Sequence, residues 1–328
     1  MPRLVSKHAA LLAVAAGVVY GLITRLLFAQ EGQRSLADFF GVMTASFVFL
    51  VPAAIGFLTL WLAPYERVAS WPYRIFMPWA TTALAVLSTM VGGLEGMICV
   101  VMLLPVALLM GSAGGIVAAA IRVSRQQRQP STLALMPILL LPYLLAPLEH
   151  RVGASTSQRE VANQIRIRAD AATVWRNISR VPAIRDDEYR ASFVHWMGFP
   201  KPIEATLSHE GVGGVREASF ARGVVFHETV TTWEPERVLA FNIKADPETI
   251  PPTALDRHVT VGGEYFDVLE GTYRIEPVAP GEVVLHLKST HRISTTFNAY
   301  ASLWTDLVMS QIQGNILEVI KHRSETGR

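Results

Sequence analysis

Five apolar runs fill most of the first 150 residues, at about 8–28, 36–63, 74–93, 96–121 and 133–148. An α-helix rises about 1.5 Å per residue, so roughly 20 apolar residues cross the hydrocarbon core of a bilayer. The first four runs meet that length. The fifth, TLALMPILLLPYLLAPLEH, is shorter and holds Pro137, Pro142 and Pro147; it either spans thinly, lies at the interface or re-enters. Charge divides the chain at the same place, with 14 charged residues in 1–150 and 42 in 151–328. The chain-wide charged fraction of 17% therefore describes neither part, since an ordinary soluble domain carries about a quarter. The expected organisation is a transmembrane domain of four to five helices over 1–149, a polar linker over 150–159 and a soluble domain over 160–328.

Lys and Arg in short loops set the orientation of such a protein. Arg3 and Lys7 precede the first run, Arg67 and Arg74 lie in the second loop, and Arg122, Arg125 and Arg128 lie in the fourth. The connections between them carry Arg25 and Arg34, then only Glu95. The N-terminus and the second and fourth loops are thus expected on the cytoplasmic side, in a bacterial inner membrane. Five spans then place the soluble domain outside the cytoplasm, and four place it inside. A cleaved signal peptide is not expected, because Arg25 interrupts the end of the first run and the A-x-A at Ala13–Ala15 falls in its middle. Arg25, Asp38 and Glu95 fall near run ends, as interface residues rather than a transport path. Gly17 and Gly21, and Gly111, Gly114 and Gly115, offer small-residue faces for close helix packing.

A net charge of +2 supplies no basic face for nucleic acid, so that class of partner is excluded. The single cysteine, Cys99, sits in an apolar run and builds neither a disulfide nor a cysteine metal site within one chain.

The second half changes period. In Val161–Arg168 alternate residues are apolar, which predicts a strand, and Asp170 is a good N-cap for a helix through Val174, Trp175 and Ile178. Val181–Asp187 reads as a second short helix. Strands are predicted at Ile203–His209, Gly214–Ala221, Gly223–Trp233, Arg237–Ala245, Tyr265–Pro277 and Glu282–Thr290, with hairpin turns at Arg222–Gly223 and Pro280–Gly281. Asp246–Gly263 reads as a long loop. A helix closes the chain from Phe297 to about Arg323, with Tyr300, Trp304, Val308, Ile312, Ile316 and Val319 on its buried face. This order predicts an α+β domain, a curved antiparallel sheet wrapped on one long helix, with space for a cavity between them.

Residues 160–323 resemble the START-related superfamily called SRPBCC, which includes polyketide cyclase/dehydrase-like and birch-pollen-allergen-like proteins. The matching text is IRIRADAATVWRNI at 165–178, GVGGVR at 211–216, FHETVTTWEPERVLAF at 226–241 and GTYRIEP at 271–277, followed by the terminal helix. The resemblance implies a helix-grip fold with a deep hydrophobic pocket for lipids, sterols, polyketides or other apolar ligands. Residues 1–150 carry no such resemblance.

Strand parity proposes a lining for that pocket. Phe226, Glu228 and Val230 share one face, as do Val283, Leu285, Leu287, Ser289 and His291, and as do Tyr265, Asp267, Leu269, Tyr273 and Ile275. The ligand-binding candidates are Trp175, Trp196, Phe226, Glu228, Phe241, Tyr265, Tyr273, His291, Tyr300 and Trp304. Glu228 and His291 are also candidates for an acid/base pair, since a buried Glu has a raised pKa suited to general-acid work. The other reading of the two is a structural pair. His195, in HWMGFP, is either a pocket-mouth residue or a loop residue with an aromatic anchor. Asp186, Asp187 and Glu188 read as a solvated helix end. The nine histidines show no H-x-x-x-H or H-E-x-x-H spacing, and the glycines of 211–215 precede no helix, so neither a metal nor a cofactor is expected.

The expected function is membrane-anchored binding of a hydrophobic small molecule or lipid. A cyclase/dehydrase-type enzyme on an apolar substrate, and a sensor or assembly module with a vestigial pocket, are the alternatives.

Overall fold

The structure is a computed structural model that describes residues 2–28, 40–127, 131–133, 135–248, 250–251, 255 and 258–327. Arg34, Asp38 and Arg128, and the side chains of Arg3 and Lys7, lie outside the described residues. The chain divides into two compact units, Met1–Ala154 and Ser155–Arg328.

The apolar runs of the first unit form helices: α1 (Pro2–Leu27), α2 (Val51–Leu62), the short α3 (Tyr65–Val68), α4 (Trp71–Val91), α5 (Met97–Ser124) and α6 (Met136–Val152). A π-helical turn at Ser46–Leu50 leads into α2. His8–Leu27, Trp71–Val91 and Met97–Ser124 are long and apolar enough to cross a membrane, and Ser46–Leu62 is a shorter apolar helix. The proline-rich fifth run is one helix of 17 residues with Pro142 and Pro147 inside it.

Small residues let these helices touch at backbone distance. A Cβ at Gly56 would stand 1.8 Å from the Gly111 carbonyl oxygen, and one at Gly114 would stand 1.9 Å from that of Ala53. The glycine face expected on the fourth run therefore packs on α2 at Gly114 and on α4 at Gly111 and Gly115. Gly17 and Gly21 face α2 and α4, where Cβ atoms would meet Thr81 at 2.6 Å and Ile55 at 2.9 Å.

Arg25 and Glu95, expected as interface residues at the run ends, are not solvated. Arg25 and Glu95 form a buried ion pair at 2.6 Å. Arg122 is 1% exposed and donates from Nη1 to the carbonyls of Leu60 and Ala63, capping the C-terminus of α2. The last carbonyls of a helix have no partner of their own, so a cation there serves both hydrogen bonding and the helix dipole.

The second unit is one antiparallel sheet of seven strands, in the order β1-β7-β6-β5-β4-β3-β2. The strands are β1 (Ser155–Ile167), β2 (Pro202–Leu207), β3 (Val215–Phe220), β4 (Val224–Glu234), β5 (Val238–Ala245), β6 (Phe266–Ala279) and β7 (Glu282–Thr295). Helices α7 (Ala171–Ser179) and α8 (Phe193–Met197) follow β1, and α9 (Asn298–Thr326) ends the chain. Asp170 caps α7 as expected, accepting from the Thr173 backbone N–H at 2.7 Å. A core of Val174, Ile178, Leu239, Leu285, Leu317 and Ile320, among others, joins α7 and α9 to the sheet.

Four sequence expectations are corrected here. Residues 155–159 are not linker but the start of β1, paired as Ser155↔Thr295 onward. That strand lies at the sheet edge and is largely exposed, so polar residues suit it. Val181–Asp187 is not helical; Val181 bridges to Ala205, and the second short helix lies later, at α8. Glu188 is not solvated: its side chain is 4% exposed and accepts from Arg323 Nη2 at 2.8 Å. Finally, Val308 and Val319 of α9 are buried as expected, but the buried line also takes in Met309, Gln313, Leu317 and Ile320, while Tyr300, Trp304, Ile312 and Ile316 are half-buried beside it. Gln313 belongs to that line because its amide donates to Val161 O and Ser289 Oγ and its carbonyl accepts from Asn163.

Candidate functional site

Three residues, Ala221–Gly223, turn the chain between β3 and β4. Arg222 and Gly223 both take positive φ there, 64° and 79°. With that turn length Phe220 pairs with Val224, and Arg216 falls opposite Glu228. Both side chains point to the inner face and are buried.

Arg216 Nη1 donates to Glu228 Oε2 at 2.6 Å. The guanidinium carbon lies 5.4 Å from the ring centroid of Phe241 on β5, within cation–π range. The Tyr273 hydroxyl on β6 shares the same guanidinium, and the Phe241 and Tyr273 rings are 6.1 Å apart. The cluster thus crosses four adjacent strands. Arg216 Nε is buried and has no partner.

Burial pushes the Glu228 carboxyl above the ordinary carboxylate range, against the pull of Arg216. Burial also raises the Tyr273 phenol. It acts against the Arg216 charge too, but Glu228 and Tyr273 beside the guanidinium hold it protonated. The arrangement is a fixed cation with one free N–H donor, set in an apolar wall.

The inner face is unevenly covered. Val230, Leu239 and Phe241 are almost fully buried, whereas Phe226 and Ile243, farther along the same two strands, keep partial exposure. The charged cluster lies at the boundary between these regions.

His291 is also on the inner face, as parity predicts, and is wholly buried. It does not meet Glu228. Its Nε2 lies 3.2 Å from Thr305 Oγ1 and 3.5 Å from Asp306 Oδ1, and its ring is 5.7 Å from that of Phe266. Burial lowers its pKa, opposed by Asp306. Strands β4 and β7 are separated by β5 and β6, so at about 4.8 Å per strand the two residues stand on strands roughly 14 Å apart along the sheet. The acid/base pair expected from parity is not formed.

The other candidates divide into groups. Trp175 is core, edge-on to Trp233 at 5.0 Å, and Phe241 and Tyr273 serve both core and cluster. Phe226 is half-buried on the inner face and packs edge-on with Phe220 at 5.0 Å. Tyr300 and Trp304 are half-buried on α9. Trp196 is 63% exposed and stacks on Phe193 at the surface. Tyr265 precedes β6 and its ring lies 6.4 Å from that of His258. A β-bulge between Val268 and Glu270 reverses parity there, so Val268 is buried and Asp267 lies across from Arg292 instead. His195 forms the capping box of α8 with Ser192 and bonds Tyr189, which Asn315 ties to α9.

Arg216 is the residue that sequence reasoning missed. The signal was turn length: a two-residue turn at Arg222–Gly223 puts Arg216 opposite Thr229, and a three-residue turn puts it opposite Glu228.

No family model matches the chain, and no curated protein matches it. Solved structures do. A norcoclaurine synthase from Thalictrum flavum is 15% identical over 51% of this chain and 93% of its own, with a TM-score of 0.33. The Zhui aromatase/cyclase from Streptomyces sp. R1128 is 15% identical over 52% of this chain and 94% of its own, with a TM-score of 0.33. A START superfamily protein from Mycobacterium smegmatis is 11% identical over 52% of this chain and 99% of its own, with a TM-score of 0.34. Each match covers about half of this chain, about the length of the C-terminal unit. Its fold is that of seven antiparallel strands and a long closing helix.

Proposed function

We propose that this chain is a multi-pass membrane protein whose C-terminal unit binds an apolar molecule, a lipid or lipid-like metabolite, through one polar group of that molecule. The observation that carries this reading is the buried Arg216–Glu228–Tyr273 cluster beside the partly exposed inner residues Phe226 and Ile243. The unpartnered Arg216 Nε–H is a donor for a ligand oxygen, and the apolar surroundings suit the rest of the ligand. Three long apolar helices support membrane attachment.

The test is extraction and mass spectrometry of ligand from the full chain purified in detergent. The wild-type protein is expected to carry an apolar molecule with an oxygen function. Arg216→Met is expected to retain at least about tenfold less of it, since a hydrogen bond from a charged donor contributes roughly 1.5–3 kcal/mol. An empty wild-type protein, or equal retention in the folded variant, overturns the reading. The enzyme alternative requires a proton donor free to act; Glu228 is held by Arg216 and His291 has other partners, so no observation favours it over binding.

A further inference from the structure

The helical unit contains a cavity of about 40 Å³ that the binding reading above does not use. Arg25, Glu95, Thr82 and Thr89 are among its polar lining, and Phe47, Ile55 and Val86 lie in its apolar wall. Arg25 Nε donates to Glu95 at 2.6 Å and Nη2 to Leu94 O at 2.7 Å. Both charged side chains are more than nine-tenths buried, at 6% and 8% exposure. Arg25 Nη1 is buried without a partner.

Thr82 is wholly buried, and its hydroxyl also has no partner. Thr59, Thr81 and Thr89 behave differently: each donates its hydroxyl to a carbonyl of its own helix, at Ile55, Met77 and Val86. The lining of this cavity therefore includes two residues that each hold a buried polar atom the protein leaves unmet. Such atoms are rare in folded proteins, and rarer in an apolar bundle, where no bulk solvent reaches them.

Size and charge narrow the occupant. A water molecule needs about 10–15 Å³ of such a cavity, so there is room for roughly three or four. Glu95 neutralises Arg25, so the lining has no net charge with which to hold an ion. We propose that this cavity is a water-binding site, with Arg25 Nη1 and Thr82 Oγ1 as its protein partners. Hydration there solvates the Arg25–Glu95 pair inside the bundle.

Hydroxyl-radical footprinting of the full chain in lipid nanodiscs tests this, because radicals made from bound water label the side chains beside it. Phe47 and Phe57 are similarly buried, at 8% and 3%, but only Phe47 lines the cavity. Phe47 is expected to be labelled at least tenfold faster; equal rates overturn the proposal. A second measurement compares Thr82→Ser with Thr82→Ala. If water bonds the hydroxyl, the Ser variant melts higher, by about 2–4 °C. If the hydroxyl is dry, the Ala variant is at least as stable, because Ala is the better helix former, and the proposal fails.

Discussion

Arg216 and Glu228 are two charges on the inner face of one sheet, and each is tolerable only because the other is there. Removing one partner of a buried pair leaves an uncompensated charge, which costs about 3–5 kcal/mol. Glu228→Leu is therefore expected to lose about that much stability, and adding Arg216→Met to return most of it, because apolar residues of similar volume often replace a buried pair without loss. Urea unfolding followed by tryptophan fluorescence measures both; losses that simply add would rule out the coupling. A second residue responds to pH. Hydrogen bonding to Arg323, then the nearby charges, holds the Glu188 carboxyl down at about 2. An unfolded Glu titrates near about 4.3, so this group contributes stability above that value and loses it as pH falls toward 2, roughly 3 kcal/mol in all. Amide exchange in residues 182–190 is expected to accelerate across that window beyond its intrinsic rate. In Glu188→Gln the acceleration is expected to vanish; if it persists, another group is responsible. Part of the cluster was legible in the sequence: parity put Glu228 and Tyr273 on inward faces, Phe241 stood among the lining candidates, and all three are buried. Arg216 was not, because register depends on one residue of turn length, and composition does not record it.

At the scale of elements, the same reasoning separates what alternation can say from what it cannot. β4 and β7 keep strict parity through their inner residues, from Val224 to Val230 and from Val283 to Ile293. β6 does not, because the bulge at Val268/Glu270 inserts an extra residue and reverses the faces before it. The edge strand β1 was half hidden for another reason: its exposed start, STSQRE, has the composition of a linker and pairs only with the end of β7. The apolar helices of the first unit were legible from length and apolarity, but the partners of their glycines were not. Two glycines now make opposite predictions. A Cβ at Gly114 would collide with the backbone of α2, at 1.9 Å from Ala53 O, so Gly114→Ala must push α2 and α5 apart and is expected to cost about 1–3 kcal/mol. A Cβ at Gly314, inside α9, meets nothing within 4 Å, so Gly314→Ala is expected to stabilise by roughly 0.5–1 kcal/mol. Thermal unfolding of the two variants against the parent checks both signs.

Over the whole molecule, helix direction decides where the C-terminal unit emerges. Along α1, Gly17 faces Thr59 and Gly21 faces Ile55, so α2 runs antiparallel to α1. Gly17 also faces Thr81 and Gly21 faces Ala85, so α4 runs parallel to α1. Gly111 faces Thr82 and Gly115 faces Pro78, which turns α5 back against α4. Tyr20 donates to Leu139 O and the Thr24 hydroxyl meets that of Tyr143, so α6 again runs with α1. The helices α1, α2, α4, α5 and α6 therefore alternate in direction, and α6 ends beside the start of the π-helical turn, where Glu149 accepts from the Ser46 backbone N–H. Arg67, Arg74, Arg122 and Arg125 all lie at the opposite end, with the start of α1. On the proposed membrane reading, Lys and Arg mark the cytoplasmic side, and the end of α6 is expected on the far side. At 17 residues, α6 is about 25 Å long, short of a core of about 30 Å, so a crossing by α6 would require local thinning of the bilayer. A reporter active only outside the cytoplasm, fused after Arg328, is expected to give signal. The same reporter on a chain lacking 131–152 is expected to give none, because one traverse is lost and the C-terminal unit returns to the basic side. Cytoplasmic activity from the intact fusion would show that α6 packs in the bundle without crossing the membrane.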